Sequence, residues 1–165
     1  MATITLHGHA ANTSGDLPAP GSIAPDFVLV DGDLNDVSLG DFRGKNKLLN
    51  IVPSLDTPVC AASTKKFNEV SADYPDTVFL TISADLPFAM KRFCSVEGVD
   101  NVIPLAMMRS NKFATDYGVL IVDGPMCGIT ARALLVLDNE NRVIHAELVR
   151  ELGDQPDYDA ALAKL

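Results

Sequence analysis

Cys60 lies where proteins commonly hold a reactive cysteine, at the junction between a strand and a helix. It ends the motif Pro53-Ser-Leu-Asp-Thr57-Pro58-Val-Cys60, which follows an apolar run at 48–52 that is typical of a strand buried on both faces. Thr57 is a favourable N-cap residue and Pro58 suits the first helical position, so Cys60 is predicted in the first helical turn. Free backbone N–H groups and the helix dipole favour a thiolate there. The sequence thus predicts a cysteine nucleophile on a rigid base.

Strands and helices alternate around this motif. The other predicted elements are an N-terminal hairpin within 1–17, short strands at 27–30 and 37–39, a helix from Pro58 to about Tyr74, a buried strand at 77–83, a helix opened by Asp85 and Pro87 and ended by Gly98, a strand at 103–107, a short helix at 111–117, a hairpin pairing 132–137 with 143–148, and a closing helix at 158–165. In the helix ended by Gly98, Ala89, Phe93 and Val96 share one face, and Cys94 lies beside them. The order predicts an α/β sandwich with a mixed sheet, in one domain over residues 1–165.

Composition excludes several classes of partner. The net charge of -9 disfavours nucleic acid and anionic membranes, because phosphate binding needs basic patches. The chain has no apolar run of about 18 residues, so no membrane span is expected. Three cysteines, an odd number, without a secretory signal at the start indicate a reducing compartment. We therefore expect a cytoplasmic protein in which a disulfide would serve catalysis or sensing.

The motif and the segments downstream of it resemble the peroxiredoxins, and within them the bacterial thiol peroxidase subfamily. The resemblance is carried by Pro53-x-x-x-Thr57-x-x-Cys60, Ser83-Ala-Asp85-Leu-Pro-Phe, Arg92-Phe-Cys94, Asp123-Gly-Pro125 and Pro156-Asp-Tyr158, so it covers nearly the whole chain. It implies a thioredoxin-like fold with an N-terminal β-hairpin and a mixed central sheet flanked by helices. It also implies a homodimeric, thioredoxin-dependent peroxidase that reduces hydrogen peroxide and organic or lipid hydroperoxides and needs no cofactor or metal.

The chemistry of peroxide reduction explains most of these residue types. Displacement at the O–O bond needs an unhindered thiolate, and donors must steady the charge on the leaving oxygen. Cys60 supplies the thiolate, the Thr57 hydroxyl can bond to the peroxide, and Pro53 adds a rigid apolar wall without an N–H. The resemblance makes Arg132 the active-site arginine, which favours the thiolate and orients the peroxide.

The resemblance also makes Cys94 the resolving cysteine, which forms an intramolecular disulfide with oxidised Cys60, as in atypical two-cysteine enzymes. The Cα atoms must come within about 7 Å for that bond. Two cysteines on separate helices are not expected to start so close, so both helix ends are predicted to unravel during turnover.

Each residue also has a plain structural interpretation. Thr57 could serve only as a helix cap, Pro53 could only end a strand, and Arg132 could be a surface charge. Arg109 lies in another family-like stretch, where a supporting or interface role competes with no role. Cys127 is not expected from the resemblance; we favour a bystander thiol, and the alternative is that it competes with Cys94.

Two further function classes stay open from the sequence. One is a non-catalytic redox sensor or partner-binding module on the same fold, and the other is a cysteine hydrolase that uses Cys60 with His145. A phosphate-binding loop is not supported, because Gly40–Lys45 lacks the required spacing. His7 and His9 are expected on one exposed face of a strand, and two ligands do not make a metal site.

Overall fold

The computed structural model describes residues 1–165, which form nine strands and four α-helices. The strands are β1 (Thr3–Leu6), β2 (His9–Asn12), β3 (Val28–Val30), β4 (Asp36–Ser38), β5 (Asn46–Ile51), β6 (Thr77–Ser83), β7 (Val102–Ala106), β8 (Ala133–Leu137) and β9 (Val143–Leu148). The helices are α1 (Pro58–Val70), α2 (Pro87–Glu97), α3 (Lys112–Asp116) and α4 (Tyr158–Leu162). The predicted element types and the α/β fold are confirmed, and the bounds differ by a few residues.

Seven strands form one mixed sheet in the order β4-β3-β7-β6-β5-β8-β9. Strands β5, β6 and β7 are mutually parallel, whereas β8 and β9 add antiparallel on one side and β3 and β4 on the other. Strand β5 lies inside the sheet, between β6 and β8. Its Leu48, Leu49 and Ile51 are all fully buried, as expected for a strand covered on both faces. The loop that carries the cysteine motif therefore starts from the middle of the sheet.

Successive residues of β5 enter different apolar clusters on the two faces of the sheet. Leu48 packs with Phe67 of α1 and Ala161 of α4, whereas Leu49 belongs to the larger cluster on the other face. That larger cluster includes Phe113 of α3. The sheet is thus covered on both faces, which fixes the register of β5 and the exit point of its loop.

The N-terminal hairpin is a separate two-stranded sheet of β1 and β2, as predicted. Ile4 of β1 is fully buried in the larger cluster, so the hairpin is packed onto the body of the protein. The expectation that His7 and His9 share one face of a strand is wrong. His7 and Gly8 have positive φ angles of 51° and 81° and form the turn, because a tight hairpin needs left-handed residues there.

Helix α2 presents a different face to the protein from the one that the Ala89, Phe93 and Val96 stripe suggests. Those residues share a side, but Val96 is 74% exposed, and the buried side chains of α2 are Pro87 and Met90. Gly98 ends the helix in the left-handed conformation, with φ 68°, as predicted. Asp85 does not cap it, since the N-cap position is Leu86.

Candidate active site

Cys60 is the third residue of α1 and follows the exit of β5 by one short loop, as predicted. Thr57 occupies the N-cap position with an extended backbone, and Pro58 is the first helical residue. The predicted side-chain cap is absent, because the Thr57 hydroxyl donates instead to the Ser54 carbonyl at 3.1 Å. Thr57 therefore stabilises the loop before the helix and leaves its oxygen lone pairs free.

Arg132 lies directly against the sulfur. Its Nη1 is 3.2 Å from Sγ of Cys60, and the side chain is only 3% exposed. Its Nε and Nη2 both donate to the carbonyl oxygen of Leu152, at 3.1 and 2.9 Å. One carbonyl thus holds the planar guanidinium in a single orientation, and a cation at this distance in a buried setting stabilises a thiolate.

The sulfur is closed off from solvent in this conformation. Cys60 is 0% exposed and belongs to a cluster with Val30, Val52, Leu55, Met90 and Ala106. The expectation of an accessible sulfur is therefore wrong for this state of the chain. Access requires movement of the side chains that cover it, because a close-packed cluster leaves no path for a peroxide.

A cleft of about 490 Å³ leads toward those covering side chains. It is lined by Leu55, Asp56, Asp85, Ala89, Arg92, Phe93, Val96 and Glu97. Leu55 belongs to the Cys60 cluster and Phe93 packs against it. The exposed stripe of α2 therefore forms a wall of the cleft, and Leu55 and Phe93 connect the cleft lining to the Cys60 cluster.

Side-chain hydroxyl groups of the next turn stabilise the first turn of α1. Ser63 and Thr64 both donate to the carbonyl of Cys60, at 3.0 and 2.9 Å, and Asn50 of β5 donates to Ser63 at 3.3 Å. Tyr158 of α4 packs nearby, edge-on to Phe67 with ring centroids 5.3 Å apart. Burial raises the pKa of Tyr158, and the nearby charge of Arg132 opposes that shift.

Asp85 makes a set of bonds that sequence reasoning missed. Its carboxylate accepts from the Ser54 hydroxyl, the Leu55 backbone N–H and the Ser83 hydroxyl, each at 2.7 Å. The segment Ser83-Ala-Asp85-Leu-Pro87 has the residue types of a helix start, so the local sequence predicts that Asp85 belongs to the beginning of α2. In the structure it joins the end of β6 to the loop before Cys60.

Cys94 lies on α2 and is partly buried, in contact with the cluster around Phe67 rather than the Cys60 cluster. Phe93 packs against both clusters. Burial raises the pKa of the Cys94 thiol, which favours its protonated form in this conformation. All three cysteines are free thiols, and Cys60 and Cys94 occupy separate helices, as predicted.

The remaining candidates lie outside this arrangement. Cys127 is exposed and lies in the loop between α3 and β8. Arg109 pairs with Asp36 at 2.5 Å and donates to the carbonyl of Leu34, so it ties down the β3–β4 turn. The nearest charged partner of His145 is Glu147, at 4.0 Å, and no bond to Cys60 supports a cysteine–histidine pair.

The structure contains neither a cluster of metal-ligand side chains nor a helix that could span a membrane. No group of three or more His, Cys, Asp or Glu side chains is disposed to bind a metal ion. None of the helices combines the length and the apolar character that crossing a bilayer requires.

Comparisons with known proteins agree with one another. A redoxin family model matches residues 19–162. Thiol peroxidases of Mycobacterium tuberculosis and Mycobacterium bovis are 54% identical over 165 residues, which is 100% of this chain and 99% of theirs. A peroxiredoxin-like protein from Aquifex aeolicus superposes with a TM-score of 0.93 at 38% identity, covering 99% of this chain and 95% of that one. A thiol peroxidase from Chromobacterium violaceum gives 0.91 at 26% identity, covering 98% and 93%.

Proposed function

This chain belongs to the redoxin family, as a thiol peroxidase of the peroxiredoxin type, and we propose that it reduces hydrogen peroxide and organic or lipid hydroperoxides through Cys60 and Cys94. The observation that carries this proposal is the contact of 3.2 Å between Arg132 Nη1 and Cys60 Sγ. It places a fixed cation beside the one sulfur that the motif presents at a helix N-terminus.

In the first step, the Cys60 thiolate attacks the distal oxygen of the peroxide. The S–O bond forms as the O–O bond breaks, and the leaving alkoxide or hydroxide takes a proton and departs as alcohol or water. Arg132 stabilises the negative charge as it moves from sulfur to oxygen, because its donors are already oriented by the Leu152 carbonyl. Cys60 is left as a sulfenic acid.

Thr57 and Pro53 shape the approach to the sulfur. The Thr57 hydroxyl donates to Ser54, so its lone pairs can accept a hydrogen bond from a peroxide O–H. Pro53 is buried at the exit of β5 and has no N–H to attract water. Together they would leave the peroxide as the polar group that fits beside Cys60.

In the second step, the Cys94 sulfur attacks the sulfenic acid. The S–S bond forms, the S–O bond breaks and water leaves, so the oxidation of Cys60 is passed to a Cys60–Cys94 disulfide. An external dithiol protein of the thioredoxin type would then reduce that disulfide by exchange. The two sulfurs lie against different clusters, so the first turn of α1 and part of α2 must open for the bond to form.

Assembly and location follow as further proposals. A homodimer is supported by large apolar side chains left exposed on and before α2, with Phe88 62% exposed, since such patches often mark protein contacts. Sedimentation of the wild type and of Phe88→Glu tests this: the wild type should be a dimer and the variant a monomer. A cytoplasmic location rests on the odd cysteine count.

A redox sensor is the second candidate, because complete burial of Cys60 slows its reaction with peroxide, which a single stoichiometric oxidation tolerates and rapid turnover does not. Turnover separates the two. With reduced thioredoxin present, a peroxidase consumes many equivalents of hydrogen peroxide or cumene hydroperoxide, whereas a sensor consumes about one.

The same assay assigns the cysteines. Cys60→Ser should abolish consumption, Cys94→Ser should stop it after one turnover, and Cys127→Ser should leave it unchanged. A peptide map of peroxide-treated protein should show Cys60 joined to Cys94. Full activity in Cys60→Ser would refute the proposal, and a Cys60–Cys127 link would reassign the resolving residue.

A further inference from the structure

We propose that Asp85 is a positioning residue whose carboxylate holds the Cys60 loop closed and so decides whether oxidised Cys60 is resolved by Cys94 or oxidised further. This inference rests on the proposed peroxidase cycle. It starts from the three bonds that Asp85 accepts from Ser54, Leu55 and Ser83, each at 2.7 Å. We call these residues the Asp85 clamp.

The clamp fixes the whole segment between β5 and α1. Ser54, held by Asp85, also accepts from the backbone N–H of Asp56 at 3.1 Å, and its carbonyl accepts from the Thr57 hydroxyl at 3.1 Å. Leu55, held through its N–H, packs its side chain in the Cys60 cluster. Releasing Asp85 therefore frees one of the side chains that closes off the sulfur.

The same carboxylate also lies at the start of the helix that carries Cys94. Asp85 precedes Pro87, the first residue of α2, and Met90 one turn later is buried in the Cys60 cluster. One side chain thus links the loop before Cys60 to the origin of the Cys94 helix. Because a disulfide requires the two Cα atoms within about 7 Å, movement of this loop against α2 must strain or break the clamp.

The sulfenic acid has two competing fates. Attack by Cys94 forms the S–S bond and releases water, which requires the open loop. Attack of the sulfenate on a second peroxide forms a second S–O bond, breaks the O–O bond and releases alcohol or water, giving a sulfinate. This needs only the side-chain movement that admits a peroxide, with the loop backbone closed and Arg132 in place. A stronger clamp favours the sulfinate, and a weaker clamp favours the disulfide.

Asp85→Asn tests this with little change in size. The amide has one acceptor oxygen and no charge, so it cannot hold all three donors, and bonds to a charged acceptor are the strong ones. Asp56→Asn is the matched control, because Asp56 is exposed in the same loop and on the same cleft but makes only a backbone bond to Ser54. Both variants lose one negative charge.

The first measurement needs no peroxide. In a Cys94→Ser, Cys127→Ser background, the rate at which iodoacetamide alkylates Cys60 is followed by intact mass. Because Cys60 is fully buried, alkylation reports opening of the loop. Asp85→Asn should react about fivefold faster or more, and Asp56→Asn at the parent rate. Equal rates in Asp85→Asn and its parent would overturn the clamp even if the peroxidase cycle is right.

The second measurement follows the partition itself. The full chain and its Asp85→Asn and Asp56→Asn variants receive graded pulses of hydrogen peroxide, and mass spectrometry gives the ratio of disulfide to sulfinate. Asp85→Asn should raise that ratio about fivefold or more, and an unchanged or lower ratio would overturn the proposal. If Asp85→Asn does not fold, Ser83→Ala, which removes one bond of the clamp, is judged by the same two criteria. A wild type that does not react with peroxide refutes the peroxidase cycle, and the alkylation result still decides the clamp.

Discussion

At the scale of single residues, the site depends on how one buried cation is held. Two of the three nitrogens of Arg132 donate to the Leu152 carbonyl, and the third donates to Sγ of Cys60. A buried guanidinium without such acceptors would be costly, and a flexible one would not stay on the sulfur. Orientation therefore matters as much as charge.

Arg132→Lys separates orientation from charge. Lysine keeps the positive charge but cannot span the Leu152 carbonyl and Cys60 at once, so we expect the rate constant for Cys60 oxidation to fall about 10- to 100-fold. Arg132→Met removes both the charge and the hydrogen bonds, and should lower the same rate constant about 100- to 1000-fold. Stopped-flow measurement of sulfenic acid formation checks both variants.

Arg109→Lys is the control for these changes, because Arg109 pairs with Asp36 away from Cys60. Its oxidation rate should match the wild type. A rate for Arg132→Lys equal to the wild type would show that charge alone suffices.

Prediction from sequence reached some of these residues and not others, for physical reasons. The motif and the family resemblance identified Cys60 and its pairing with Arg132. Thr57 takes the predicted N-cap position, but the expected side-chain cap is absent, because its hydroxyl donates to the Ser54 carbonyl instead. Asp85 was missed because its partners include Ser54 and Leu55, far upstream in sequence and close only after folding.

At the scale of elements, the N-terminal hairpin supports the active site from a distance. Glu151 accepts from the Thr5 hydroxyl at 2.7 Å and from the backbone N–H of His7 at 3.0 Å. The next residue, Leu152, donates its N–H to the carbonyl of Thr5 at 2.8 Å and offers its own carbonyl to Arg132. The hairpin thus fixes the residue that orients the arginine.

This attachment should depend on pH through Glu151. Its hydrogen bonds, that from Thr5 first, lower the pKa of Glu151 from 4.5 to about 2. A carboxylate with a lowered pKa stabilises the folded state fully above its ordinary pKa and loses that contribution as the pH falls through the folded value. Exchange protection of the β1–β2 amides should therefore decline between pH 4.5 and 2.

Glu151→Gln supplies the comparison for that titration. It should show reduced hairpin protection already at pH 7 and little further change in acid, as followed by hydrogen exchange. The exposed Glu140→Gln should behave as the wild type does. A wild-type hairpin that keeps full protection at pH 2 would rule out this role of Glu151 in attaching the hairpin.

Strand β5 contains a buried amine, that of Lys47, which is 0% exposed and whose Nζ has no hydrogen-bond partner. Burial lowers the pKa of Lys47, and Asp138 only partly opposes this. The folded chain then binds fewer protons than the unfolded chain between the folded pKa and 10.5. Stability should therefore rise with pH across that window.

Lys47→Met should be more stable than the wild type at pH 7, by about 1–3 kcal/mol in the free energy of unfolding, because an unpaired buried amine is replaced by an apolar chain of similar length. Urea denaturation at pH 7 and pH 10 measures this, and the advantage should shrink at pH 10. Lys45→Met, at an exposed position nearby, should change stability little. A loss of stability in Lys47→Met would contradict the argument.

At the scale of the whole molecule, the central sheet and the two cysteine-bearing helices play different parts. Hydrophobic runs predicted the interior strands well, since apolar side chains such as Leu48, Leu49 and Ile51 of β5 are removed from water only when both faces of the sheet are covered. The orientation of α2 was less predictable, because a period of 3.6 shows which residues share a face and not which face is covered. Both Met90 and the Ala89 stripe were apolar, and the sheet packs against Met90.

The exposed stripe of α2, the buried Cys60 and the separate cluster around Cys94 together predict where the chain must move. Disulfide formation should cost exchange protection in the first turn of α1 and along α2, while β5, β6 and β8 keep theirs because their cross-strand bonds do not involve the cysteines. Hydrogen exchange with mass spectrometry on the dithiol and disulfide forms checks this. Cys94→Ser exposed to the same oxidant cannot form the bond and should keep protection in α2. If α2 is equally protected in both forms, Cys94 reaches Cys60 without unwinding, and the separation of the two clusters is no barrier to the disulfide.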